Sequence, residues 1–160
     1  MTMEALEEKV ISDLNHYLFY EDAIRYAVGV ARLEQGAARG GTVGGSGHAF
    51  ISDPTALLAM KHTAPLKSIK IVTQVHGEET ICNPEAWLRV MDKLYQLYEY
   101  QMAGKCMRQR YIKHERPMRI MIRMGISQRT YYYWKDEFIR DFAMLAIQEK
   151  LIEPRTIVKR

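Results

Sequence analysis

Between Lys105 and Lys135 the chain carries nine basic residues and a single acid, Glu115, while the remainder has 14 basic and 18 acidic groups. Cations gathered this densely, with almost nothing to neutralise them, bind a polyanion by displacing its counterions. A helix face that is merely solvated tends to mix the two signs. Within the same block lies "GISQRTYYYWKDEF", Gly125 to Phe138, which sets a glutamine and an arginine beside four consecutive large rings. Arginine can present two donors to a guanine edge, and glutamine can pair in the same way with adenine. Four rings in a row on a helix cannot all enter one core, because successive side chains point about 100° apart. Some of them must face outward.

These side chains need a rigid scaffold, and the flanking residues specify one. Glu115 to Met124 reads as a short helix with Pro117 near its start and Ile120 and Met121 inward. Gly125 suits the left-handed residue that closes a helix, and Ser127 suits the N-cap of the next, about 128 to 150. A short helix, a glycine-containing turn and a capped second helix are the grammar of a helix-turn-helix, with Ile126 filling the angle between the helices. On the second helix, positions 131, 134, 138, 142 and 145 share one face, so Tyr131 and Trp134 are expected in the core. Ser127, Gln128, Arg129, Tyr132, Tyr133 and Asp136 remain on the other side, near the end with which a recognition helix reads bases. Arg129 and Gln128 are the expected base contacts. Tyr132 and Tyr133 are expected to face nucleic acid, the alternative being burial against another lobe. Lys113, Arg116, Arg119, Arg123 and Lys135 are expected to touch phosphates, which position a protein without reading sequence.

Elsewhere the pattern is helical. Met3, Leu6, Val10, Leu14, Tyr17, Ile24, Val28 and Ala31 recur at helical spacing and predict one long helix over residues 3–35. Its stripe must be hidden, either on the next helices or on a second copy of the chain. The stretch "GAARGGTVGGSG" (36–47) reads as part of a flexible linker over 36–52 rather than a phosphate loop, since no Gly-Lys-Ser/Thr follows it. Two helix starts share one grammar, Asp53-Pro54 and Asn83-Pro84, each pairing a candidate cap with a proline at the first helical position. The first is interrupted at Pro65. The second carries the stripe Trp87, Val90, Met91, Leu94, Leu97, Tyr98 and Met102, to about residue 103. Residues 69–81 read as a helix ending near Gly77, with a hairpin turning at His76-Gly77 as the alternative. The expected fold is all-α: an N-terminal helix (1–35), the linker, a central helical region (53–104), the helix-turn-helix region (105–150) and a tail (151–160).

At 160 residues and 48% apolar, the chain can bury a core as one domain or two small lobes. The overall charge is only +4 and the pI about 9.0, so the basic block stands out by its concentration. Two cysteines, Cys82 and Cys106, suggest a reducing compartment without disulfides. The acidic start "MTMEALEEKV" is unlike a signal peptide, and no apolar run approaches the roughly 20 residues that span a bilayer. A cytoplasmic protein without membrane contact is expected.

The segment "ISQRTYYYWKDEFIRDFA" resembles the C-terminal signature of the RinA/ArpU-type regulators of phage late genes, which carry a sigma-factor region-4-like helix-turn-helix. Upstream, "GGSGHAFISDPTALLAM" resembles that family's glycine-rich stretch and the Asp-Pro-Thr helix start that follows it. The resemblance implies a phage- or prophage-encoded DNA-binding protein that activates late or packaging genes in a bacterial host. It makes Ser127, Gln128, Arg129, Thr130, Tyr132 and Tyr133 the recognition segment and raises host RNA polymerase as a partner. The chain departs from the family in "HERPMRIMIRMG", which is more basic, and in residues 74–87, which match no family pattern.

Other chemistries find little footing. His16, His48, His62, His76 and His114 show no paired ligand spacing with each other or with the cysteines, so no metal or other cofactor is expected. With no nucleophile elbow and no Walker motif, an enzyme is not expected either, and Glu78-Glu79 reads as a solvated turn. The competing reading is a small terminase subunit of a phage, which would also join a helix-turn-helix to oligomerising helices and recognise packaging DNA. A sigma-like or anti-sigma module acting through polymerase is a further alternative.

Overall fold

The computed structural model describes residues 8–40 and 64–153, with side chains in the first segment up to residue 36. The helix expected at Asp53, most of the glycine-rich stretch and the last seven residues lie outside the described residues. What is described is mostly helical, with six helices and one two-stranded sheet.

The long N-terminal helix is interrupted once. Helix α1 spans Glu8–Phe19 and α2 spans Glu21–Gly40, so α2 runs into the start of the stretch read as linker. Main-chain hydrogen bonds cross the interruption: Tyr20 N–H donates to the His16 carbonyl and Ile24 N–H to the Tyr20 carbonyl, both at 3.0 Å. The two halves address different neighbours. Val10, Leu14 and Leu18 of α1 are buried, on a face that meets the C-terminal helices, whereas α2 packs on the sheet and on the helix after it. From Val10 to Ala31 the apolar stripe is thus largely hidden against other parts of the chain, while Met3 and Leu6 lie outside the described residues.

The sheet corrects the all-α expectation. Strand β1 (Ser68–Thr73) pairs antiparallel with β2 (Gly77–Cys82), in register from Ser68↔Cys82 to Thr73↔Gly77. Ile69, Ile71 and Thr73 point inward while Ser68, Lys70 and Val72 are exposed, a period of two that a helix cannot satisfy. β-Branched side chains, which lose rotamer freedom in helices, settle the competition for the hairpin.

The helix expected to reach residue 103 is two helices, α3 (Pro84–Leu97) and α4 (Met102–Tyr111), with a turn between them. The second folds back tightly on the end of the first: a Cβ on Gly104 would lie 2.0 Å from the Tyr98 carbonyl oxygen, so only glycine fits. Trp87, Val90, Met91, Leu94 and Tyr98 are buried as one stripe, but the bend leaves Leu97 and Met102 exposed. Asn83 begins α3 without the expected side-chain cap. It adopts a left-handed conformation (φ 50°), its carbonyl accepts from the Ala86 and Trp87 amides, and its own amide donates to Lys67 at the base of the hairpin.

Helix α5 (Pro117–Met124) and helix α6 (Gln128–Gln148) complete the chain. α6 packs on α1, α3 and α4, burying Tyr131, Phe138, Ile139, Phe142, Ala143 and Ala146. Phe138 is the aromatic hub, with the rings of Tyr98 at 5.0 Å and Tyr111 at 6.1 Å, and Trp87 meets Phe142 at 5.7 Å. Among the described residues no helix is long and apolar enough to cross a membrane.

Candidate nucleic-acid interface

The turn between α5 and α6 is built from the residues that its sequence singles out. Gly125 has φ 63° and ψ 34°, a conformation that glycine adopts without steric cost. Its amide donates to the Ile122 carbonyl and the Ile126 amide to that of Met121, the Schellman pattern that satisfies the last carbonyls of a helix. Ile126 is half-buried against the core. The Ser127 hydroxyl then accepts from the Thr130 amide at 3.1 Å, capping α6, and lies 2.9 Å from the Thr130 hydroxyl. Thr130 is therefore occupied in closing the helix end.

Beyond the cap, the four rings separate. Tyr131 is 1% exposed and its hydroxyl, pushed up to about 12 chiefly by burial, finds no hydrogen-bond partner among the described residues. Tyr132 and Tyr133 are 44% and 59% exposed. The Tyr132 ring stands edge-on to Tyr131 at 5.2 Å, which fixes its direction, and Trp134 is only half-buried at the margin of the core. Gln128 and Arg129 are both exposed in the first turn, which contains no acid. A cation at the positive end of a helix dipole is locally unfavourable, so this turn is arranged to favour an anion.

Arg119 and Arg123 are exposed on one side of α5, Arg116 is exposed at its N-cap, and Lys113 is exposed in the preceding loop. Arg123 is already engaged: it makes a bidentate pair with Glu115, with one nitrogen at 2.9 Å from Oε1 and the other at 2.5 Å from Oε2, and it also reaches Gln109. The same hydrogen bonds hold the Glu115 carboxyl below its ordinary range. Lys135 is half-buried. Burial first, and then the charge of Arg110, lower its ammonium below the usual lysine value.

Two arginines of the basic block have structural duties that the sequence did not disclose. Arg108 donates to the Tyr95 carbonyl and lies over the Tyr95 ring, while Arg110 donates to the Glu115 carbonyl and lies over Phe19. Also unforeseen is an apolar groove of about 680 Å³ between α5 and the start of α6, whose walls join Arg116, Met118 and Ile122 to Gln128 and Tyr132. Met118 and Ile122 are mostly exposed, four residues apart on the face adjoining the arginines. Their spacing from buried Ile120 is the signal that would have revealed it. Arg116, Gln128 and Tyr132 therefore share one concave surface, with Arg129 and Tyr133 on the same helical end. No protein-family model, curated protein or solved structure matches the chain.

Proposed function

We propose that the chain binds duplex DNA sequence-specifically through the α5–turn–α6 unit, as a transcriptional regulator of a phage or prophage that activates late or packaging genes. The observation that carries the DNA-binding reading is the leading end of α6. It is rigidly capped, free of acid, and presents Gln128, Arg129, Tyr132 and Tyr133 to solvent, while the rest of the same helix is anchored in the core. A helix end so held can enter a major groove with little ordering cost, leaving Arg129 and Gln128 for base edges and the tyrosines for ring packing or phosphate. Arg116, Arg119 and Lys113 supply the salt-sensitive affinity that any sequence receives. The regulatory role, with host RNA polymerase as a further partner, rests on the two segments that resemble RinA/ArpU-type regulators.

A second reading, the small terminase subunit, draws support from the outer surface of α2 and the hairpin, where Tyr26, Leu33, Val72 and Val75 are largely exposed and could seat a second copy. One experiment addresses both. Duplexes bound from a random pool are sequenced, and the mass of the complex is measured on the same sample. Recovery of a defined site by a monomer or dimer supports the regulator, and a ring of many copies supports the terminase. Recovery of no preferred sequence removes specific recognition from either.

A further inference from the structure

His16, His76 and Glu79 come from three separate places, the last turn of α1, the tip of the hairpin and strand β2, yet each offers a ligand atom within 4.8 Å of the others. His16 Nε2 lies 2.7 Å from Glu79 Oε2. The His76 ring stands edge-on to the His16 ring, with centroids 5.5 Å apart. A hydrogen bond from one histidine would suffice for one carboxylate. A second imidazole brought to the same spot, with no second acid, lacks a reason in simple ion pairing.

The surroundings of Glu79 add one. Thr73 is among the few buried polar residues, and its hydroxyl donates to Glu79 Oε1 at 2.7 Å. That fixes the carboxylate and leaves Oε2 directed at His16. An outer hydroxyl that orients a carboxylate is the arrangement metal sites use to hold their ligands. The Thr73 hydroxyl in turn accepts from the His76 amide at 3.1 Å, tying the turn that carries His76 to the same threonine. The Tyr20 ring, 4.7 Å from His16, walls one side.

We propose that His16, His76 and Glu79 form a site for a first-row divalent ion of the zinc type, which staples α1 to the hairpin and keeps one coordination position open. Two imidazoles and one carboxylate suit zinc and its neighbours, whereas calcium and magnesium require mostly oxygen ligands. Bonds of about 2.0–2.2 Å bring ligand atoms to roughly 3.3–3.5 Å from one another in a tetrahedron. To reach that spacing His16 and Glu79, now hydrogen-bonded at 2.7 Å, move slightly apart as the ion takes the place of the proton between them, and the exposed His76 draws in from within 4.8 Å. Three protein ligands leave the fourth position to water or an exogenous donor, so the ion is exchangeable rather than sealed in.

The test uses the full chain stripped of metal. Cobalt(II) should bind at one equivalent per chain, with the strong visible absorption of a four-coordinate ion, and zinc should displace it. Zinc should also raise the melting temperature as its concentration exceeds Kd. His76→Ala, at an exposed turn position, should keep the circular dichroism spectrum and weaken zinc binding by more than about 100-fold, beyond the 10–100-fold typical of losing a supporting partner such as the Thr73 hydroxyl. Glu79→Gln should behave likewise. A His48→Ala/His62→Ala double variant should bind as the parent does. The site is overturned if no stoichiometric cobalt spectrum develops, if His76→Ala binds zinc unchanged, or if binding is lost with His48 and His62 instead.

Discussion

Arg129 occupies the first turn of α6, where the helix dipole opposes it by about 0.3–1 kcal/mol. A sequence selected only for stability would set an acid there, so the arginine points to an outside anion. Arg129→Ala should cost about 1–3 kcal/mol of binding to the preferred duplex and leave random-sequence binding nearly intact, with no loss of melting temperature. Paired titrations against the two duplexes decide it: equal weakening would make Arg129 a phosphate contact. At the core end of the scale, burial pushes the Cys106 thiol up to about 11. Because the folded value lies above the unfolded one, near 9, the neutral thiol's contribution to stability is complete below about pH 9 and is lost as pH rises through about 11. At pH 8 iodoacetamide should therefore modify only exposed Cys82 in the folded chain, with Cys106 reacting on denaturation; mass spectrometry showing fast double labelling of folded protein would contradict this. The separation of Tyr131 from Tyr132 and Tyr133 was legible in the sequence, since helical geometry alone sends adjacent rings apart. Trp134 was not, because α1, α3 and α4 surround α6 on a broad arc and bury Ile139, Ala143 and Ala146 at the expense of the strict 131–134–138 seam.

Among the elements, the two glycines that shape the C-terminal region act for different reasons and should fail differently. A Cβ on Gly125 would meet nothing within 4 Å, so the obstacle there is the positive φ alone. Gly125→Ala should cost about 1–2 kcal/mol, and asparagine, which tolerates that conformation, should cost less. Gly104→Ala drives a carbon into the Tyr98 carbonyl, and its cost should reach or exceed the upper end of the roughly 1–3 kcal/mol typical of overpacking, whichever residue replaces it. Urea melts of the three variants check the order, and a Gly125→Asn protein no better than Gly125→Ala would mean that the turn is strained by something other than φ. Local signals made the α5–α6 turn readable: a glycine, a cap and flanking apolar periods all lie within a dozen residues. The break before α4 had no such signal, because it is imposed by how closely two helices approach. The hairpin is the alternative that residues 69–81 allow, and the clean alternation of Ile69, Ile71 and Thr73 decides for it in the structure. The His16, His76 and Glu79 cluster is invisible to any spacing rule, since folding alone brings residue 16 to residues 76 and 79.

For the molecule as a whole, α6 joins two environments: its first turns are open to solvent while its later turns form the centre of the core, so movement of its leading end is tied to the stability of the fold. The charge distribution is set by the same assembly. A count of the basic block gives nine cations, but Arg108 and Arg110 are committed to packing, Lys135 is partly withdrawn, and Arg123 is held by Glu115. Under the proposed DNA-binding reading, Glu115 competes with phosphate for Arg123, a role that sequence alone could not assign because it depends on a pairing eight residues apart across the α4–α5 loop and α5. Glu115→Gln removes the competing charge and should release Arg123 to the duplex. Affinity should then rise for specific and random sequences alike, and the slope of log K against log salt should steepen by about one phosphate contact. Adding Arg123→Ala should return the slope to the parent value. Binding isotherms over a series of salt concentrations measure this directly. If Glu115→Gln leaves the slope unchanged, Arg123 stays docked on Gln109, and the cationic surface facing DNA consists of Lys113, Arg116, Arg119 and Arg129 without it.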